Sequence, residues 1–315
     1  MKNTTLRRRT IGGMPSQKFW KKCLPLYLIA LLPIVWFICF KYLAMFGNII
    51  AFKDYSPYRG IQDIWQSNFV GWEHFQKFLT QPMFWRAFRN NLIIAFLSFA
   101  LTYPLQIIFA LFLNEITFTK FKKTVQTISY LPYFLSSMVV VSLVVIVLDD
   151  KGIINTLIQM FGGETVYFLT EPKAFPWIIA ISDCWQAVGW GSVLFIAALT
   201  GVDPGIYEAA TIDGANRFQR MWHISIPSMY PIISITLIMN VPSLLGASFE
   251  KILLLYSPQT MSTGDVLSTY VYRAGFVQQS QSYSTAVGLF ISLLSVVLLL
   301  GSNFVAKRLG QEGIW

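Results

Sequence analysis

Six runs of roughly twenty apolar residues recur along this chain, at Leu24–Phe46, Asn91–Leu113, Ile128–Leu148, Pro176–Leu199, Ser228–Ser248 and Thr285–Ala306. A helix rises about 1.5 Å per residue, so each run suffices to cross a hydrocarbon core roughly 30 Å thick. Backbone groups in that core must be satisfied within the protein, which leaves the helix as the spanning element for apolar runs of this length. The expected fold is an all-α membrane protein with six transmembrane helices. Composition agrees, because 55% hydrophobic and only 12% charged residues leave too little polar surface to cover a soluble globule of 315 residues.

The first run follows a basic arm, as a secretory signal would, but exceeds the usual apolar length and shows no small-residue cleavage site. It is expected to be retained, which places both termini on one side. The arm, residues 1–23, carries Lys2, Arg7, Arg8, Arg9, Lys18, Lys21 and Lys22 with no acid, and Lys120, Lys122 and Lys123 follow the second run. Arg217, Arg220, Lys307 and Arg308 fall on the same side. The positive-inside rule makes that side cytoplasmic, against a smaller outer group of Lys53, Arg59, Lys77, Arg86 and Arg89. The domain plan is a cytoplasmic arm, a permease domain over residues 24–306 and a cytoplasmic tail over 307–315. A net charge of +9 on such a chain points to anionic lipid and not to nucleic acid.

Catalysis finds no support. Cys23, Cys39 and Cys184 form no metal-like spacing, and His74 and His223 lie on opposite predicted sides. No Gly-Lys dipeptide occurs, so no phosphate-binding loop is present. The outer loop, residues 47–90, is rich in aromatics (Tyr55, Tyr58, Trp65, Phe69, Trp72, Phe75, Phe84, Trp85). It reads as amphipathic pieces in the headgroup layer or as a surface for an external partner.

The strongest polar interruption is the loop 200–227. Asp203-Pro204 starts a helix through capping and a preset φ, and Gly214 ends or bends it. A second helical piece is expected from Ala215 to Trp222, with Pro227 at the mouth of the fifth span. Ala209, Ala210 and Ala215 keep bulk low, while Glu208 and Asp213 offer carboxylates. These features fit a docking helix and equally an ordinary interfacial helix, because Ala is also the best helix former.

The pattern E-A-A-x-x-D-G-A at Glu208, Ala209, Ala210, Asp213, Gly214 and Ala215, followed by Ile224 and Pro227, resembles the EAA signature of type I ABC-importer permeases. That resemblance implies a cytoplasmic coupling helix which docks on an ATP-binding subunit. Phe88-Arg89-Asn90-Asn91, Leu113-Asn114-Glu115, Val125 through Pro132, Val188-Gly189-Trp190-Gly191 and Glu312-Gly313-Ile314-Trp315 are similar to the polysaccharide and oligosaccharide branch, near the maltose-type permeases. The resemblance implies a multi-pass plasma-membrane subunit paired with a second permease, two ATP-binding subunits and an extracellular solute-binding protein. It implies no cofactor on this chain, with ATP and Mg held by the partner ATPase.

Polar groups at membrane depth mark a candidate sugar path. Asp183, Gln186 and Trp190 recur on one face of the fourth span, and Thr236, Asn240 and Ser243 form a stripe on the fifth. Hydrogen bonding between helices is the competing role for all of them. Thr236 and Ser243 could equally bond to their own backbone. Gln106 reads as interhelical glue. Two other functions compete with an oligosaccharide importer. An oligopeptide or amino-acid permease would keep the EAA loop, and an ion-coupled secondary transporter would want an intramembrane titratable relay and repeated halves.

Overall fold

The computed structural model describes residues 17–246, 248–308, 310 and 313, with side chains from Leu24 onward. The basic arm up to Ser16 and most of the closing Glu312–Trp315 motif lie outside the described residues. Every regular element among the described residues is helical, with a single isolated antiparallel bridge between Lys53 and Phe69. The chain divides into two units, Met1–Ile50 and Ala51–Trp315. The first carries helix α1, Gln17–Phe37, prolonged by a π-turn at Ile38–Tyr42, and its apolar stretch from Leu24 is long enough to span a bilayer.

In the second unit the major helices are α2 (Pro82–Glu115), α3 (Thr119–Tyr130), α4 (Ser137–Leu148), α5 (Phe175–Thr200), α6 (Pro204–Ile212), α7 (Ile226–Asn240), α8 (Phe249–Leu255) and α9 (Gln281–Arg308). Five helical stretches across the described residues are long and apolar enough to cross a membrane, and a bent pair makes a sixth. The fourth expected span agrees with α5 to within a residue at each end. The second begins nine residues earlier than expected, because Pro82 occupies the first turn of α2 and Arg86 and Arg89 continue the helix. Those two arginines therefore lie on α2 itself, at its N-terminal end.

Two expected spans are broken. The third bends by 102° between Thr119–Phe134 and Ser137–Met160. Pro132 sits in a 3-10 turn at Leu131–Phe134, Leu135 is extended, and Ser136 caps α4 by accepting from the Val139 amide at 3.4 Å. The fifth leaves regular α-helix at Asn240, where Pro242 opens a 3-10 turn (Pro242–Leu245), and resumes as α8 at Phe249. Proline lacks the amide that the preceding turn needs, so both breaks follow from local sequence.

The scaffold is the α2–α5 pair, the most extensive helix contact in the chain. The half of the pair nearer the C-terminus of α2 buries Tyr103, Ala110, Leu111, Phe195 and Leu199 with Met229 of α7. The opposite half buries Ile94, Ala95, Phe175 and Ile179 with Ile252 of α8 and Val266. Glycines let neighbouring backbones approach α5, as small residues do in membrane bundles. A Cβ added at Gly189 would collide with the Ser129 backbone of α3, and one at Gly191 with the Gln106 side chain of α2.

The segment between Ala51 and α2 is folded against α9. Lys53 Nζ donates to the Ile64 and Trp65 carbonyls at 2.8 and 3.0 Å, and the Tyr55 amide donates to Ser282 of α9 at 3.0 Å. Phe78 and Phe84 are buried against Phe290 of α9, while Tyr58, Trp65, Phe69 and Trp72 stay exposed. The stretch after α8 is equally ordered. Buried Asp265 accepts from Arg273 at 3.0 and 2.7 Å, and this pairing holds the guanidinium pKa above its ordinary value.

Gly189→Ala should lower the thermal unfolding temperature of the purified protein in detergent, at a cost of about 1–3 kcal/mol, because a backbone neighbour cannot swing away. Gly288→Ala, where an added Cβ meets nothing within 4 Å, is the matched control and should leave the temperature unchanged. Equal melting of the two variants would show that the contact does not constrain α5.

Candidate functional site

The polar residues expected on the fourth and fifth spans do not share one place. A cavity of about 280 Å³ opens between α2, α5 and the broken fifth span, lined among others by Ser98, Tyr103, Gln106, Asp183, Asn240 and Ser243. Asp183 is its one lining carboxylate. Oδ2 accepts from Ser98 Oγ at 2.9 Å and from Ser248 Oγ at 2.6 Å, and Oδ1 accepts from Lys251 Nζ at 2.6 Å. Both charged side chains are largely buried, so the cavity wall presents an internally neutralised pair. A buried carboxylate with three donors is satisfied, and its local charge is cancelled.

Lys251 escaped the sequence reading because the fifth span was expected to end at Ser248. Beyond the break at Pro242 the chain continues through Ser248 into α8, and from its first turn Lys251 reaches Asp183. Its signal was a lysine three residues beyond the expected boundary.

Asn240 Nδ2 donates to its own helix at Thr236 O, 2.8 Å away, and no hydrogen bond among the described residues occupies its Oδ1. Ser243 Oγ donates to Asn240 O at 2.6 Å and Thr236 Oγ1 to Ile232 O at 2.7 Å, both within the local backbone. Tyr103 Oη reaches Ile233 O at 2.8 Å. Gln106 Nε2 donates to Ala187 O at 3.3 Å, the interhelical bond expected of it.

Gln186 and Trp190 lie on the other flank of α5. Gln186 Nε2 donates to Leu135 O at 3.0 Å, the carbonyl that the break in the third span frees. Trp190 stacks on Tyr133 with centroids 5.1 Å apart and planes at 13°, flanked edge-on by Phe134 and Tyr130. The three residues share the expected helical face but not one site. Residues i, i+3 and i+7 share a helical stripe, but α2 and the fifth span cover one edge of this stripe and the bend in the third span covers the other. Trp190 nevertheless remains 41% exposed, and with Tyr133 and Phe134 it forms an open aromatic platform.

The loop after α5 folds as the sequence predicts, with one boundary moved. Asp203 caps α6 through the Gly205 amide at 2.9 Å, with Pro204 in the first turn. Gly214 has φ +81°, and the Ala215 amide closes on Ala210 O at 2.9 Å, a left-handed helix end. The second piece starts at Arg217 and not Ala215, because Asn216 and Gln219 form a reciprocal capping box at 2.9 and 2.8 Å. It continues through a π-turn (Met221–Ser225) into α7, which places Ile224 in that turn and Pro227 in the first turn of α7. Glu208, Ala209, Asp213 and Gly214 are exposed, Ala210 and Ala215 partly covered. Ile212, 85% exposed at the end of α6, is an apolar side chain with no cover from its own chain.

Helical spans, two proline breaks of which the second borders a polar cavity, and a protruding capped helix between the fourth and fifth spans define a membrane transport subunit of the type I ABC permease fold. The chain belongs to the family described as binding-protein-dependent transport system inner membrane component, whose model matches residues 104–311. It is 42% identical over 92% of its length to Protein LplB of Bacillus subtilis (strain 168), and covers 91% of that protein. It is 39% identical to the polygalacturonan/rhamnogalacturonan transport system permease protein YteP of the same organism, over 98% of this chain and 94% of that one. Its fold matches a chain of the bacterial alginate ABC transporter in complex with alginate pentasaccharide-bound periplasmic protein, with TM-score 0.85 and 35% identity over 94% and 99% of the two chains.

Removing Asp183 alone leaves a buried ammonium without its partner, so Asp183→Ala should cost about 3–5 kcal/mol, whereas removing both charges should cost much less. Thermal unfolding of D183A, K251M and D183N/K251M checks this. A double variant no more stable than D183A would mean that the pair is not coupled.

Proposed function

We propose that this chain forms half of the translocation path of an ATP-driven importer for oligosaccharides. One observation carries the substrate class: the cavity offers amides and hydroxyls around a neutralised ion pair, and the other flank of α5 carries the exposed Trp190–Tyr133 platform. Sugars present hydroxyls at their edges and weakly apolar C–H faces, so such a surface suits them. The termini of a peptide would want unpaired charges of both signs. The relatives named for galacturonan and alginate uptake support the same class. Family membership sets aside the ion-coupled secondary transporter, while the peptide permease remains the alternative outcome of the test.

In this reading a second, similar permease completes the path, and two ATP-binding subunits supply the energy with ATP and Mg. An extracellular solute-binding protein delivers the sugar, and this subunit itself breaks no covalent bond. Glu208, Ala209, Ala210, Asp213, Gly214 and Ala215 receive the ATPase, with exposed Ile212 as the apolar anchor. Ile224 and Pro227 continue that element into the fifth span. Asp183, Asn240 and Ser243 line the sugar route at the cavity, and Gln186 and Trp190 lie along the platform. Both termini are cytoplasmic, with residues 1–23 as arm and 307–315 as tail. Transport proceeds as a population shift between inward-open and outward-open packings.

Proteoliposomes holding the assembled transporter and its binding protein test the substrate. Uptake of galacturonan, alginate or arabinan oligomers, with no uptake of di- to pentapeptides, is expected; peptide uptake alone would overturn the assignment.

Orientation is tested in a cysteine-free background with an impermeant thiol reagent. Exposed Thr170→Cys should label in intact cells and Ile212→Cys only after lysis. The reverse pattern would place the EAA loop outside and remove it from any ATPase.

A further inference from the structure

Helix α6 stands apart from the body of the protein. Short links join it at each end, and the trailing one contains Gly214 in the left-handed region at φ +81°. Among the described residues, two side-chain hydrogen bonds tie it to other elements. Tyr207 Oη and Ser225 Oγ share one at 3.0 Å, and Arg220 Nη1 donates to Thr211 Oγ1 at 2.7 Å.

The second is the more informative, because the same guanidinium reaches further. Arg220 Nη2 lies 3.7 Å from Glu115 Oε2 in the last position of α2, with the two side chains 21% and 17% exposed. A carboxylate at a helix C-terminus is disfavoured by the helix dipole, so Arg220 offsets a charge that α2 does not otherwise accommodate. Arginine suits the position because its planar fork holds two acceptors in fixed relative geometry, which lysine cannot. Arg220 thus touches α6 and the inner end of α2 while sitting on the short helix that leads into α7.

A helix held only by its two links would swivel at Gly214 when pushed. Bound to the end of α2, it cannot turn without moving α2, and α2 is packed along α5 more extensively than any other helix pair. We propose that Arg220 is a positioning residue for energy coupling: it splints α6 to the inner end of α2, so that displacement of α6 moves the α2–α5 pair as one body. This rests on the reading of α6 as the ATPase-docking helix.

The test uses the complete transporter in a cysteine-free background, with nitroxides at Ile206→Cys on α6 and Phe112→Cys on α2, both exposed positions. Double electron–electron resonance then reads the distance distribution without nucleotide and with ATP plus vanadate. The expected wild-type distribution is narrow and unchanged by nucleotide. R220A broadens it at least twofold and shifts it with nucleotide, and R220K is intermediate. Binding-protein-stimulated ATP hydrolysis should fall roughly tenfold in R220A, within the usual range of coupling effects, and recover partly in R220K, while the thermal unfolding temperature of the assembled transporter stays unchanged, which a general loss of stability would not produce. An R220A distribution as narrow as wild type, or a wild-type distance that itself shifts with nucleotide, overturns the splint. Should R220A fail to assemble, R220K and E115Q decide by the same widths. The docking reading is judged separately: if the Ile206 nitroxide is not immobilised when the ATP-binding subunits are added, α6 is not their site, whatever the widths show.

Discussion

A hydrocarbon core has no water to satisfy a free carbonyl, so wherever a span leaves the helix some other part of the protein must supply the donor. This requirement organises the molecule. The third span opens at Leu131–Leu135, and Gln186 of α5 donates to the freed Leu135 carbonyl. The fifth opens at Pro242–Gly246, and Asn91 of α2 donates to the Leu244 carbonyl at 2.8 Å. Asn90, one residue earlier, holds the carbonyls of Ser262 and Asp265 at 2.9 and 3.1 Å, which fixes the segment beyond α8. The α2–α5 pair is therefore a source of fixed amide donors as well as a packing scaffold.

The break in the fifth span also makes the cavity. Ser248 and Lys251, just beyond the break, both reach the Asp183 carboxylate, so one acidic group is held by two hydroxyls and an ammonium. The cavity between the helices is then lined by groups that exchange hydrogen bonds without imposing a net charge.

Much of this was legible in the sequence, because it depends on local chemistry. Apolar run length locates the spans, Asp203-Pro204 and Gly214 delimit α6, and the EAA pattern identifies the loop. Gln186 and Trp190 show where local reasoning stops. Helical periodicity correctly put them on a stripe with Asp183, yet a stripe does not say what packs against each of its edges. Glu115 and Arg220 stood in the sequence as the end of a motif and as a basic residue beside another, with nothing in their separation to pair them.

Hydrophobicity, proline and capping, acting within a few residues, set the solvent, the number of crossings and the position of the protruding helix. Which polar residues face the cavity, which clamp a broken backbone and which join α6 to α2 is settled by how the helices pack. Those outcomes depend on how neighbouring helices are rotated about their axes and where their breaks fall. Both are set by contacts between residues far apart in the chain, such as Gly189 with Ser129 and Asn91 with Leu244.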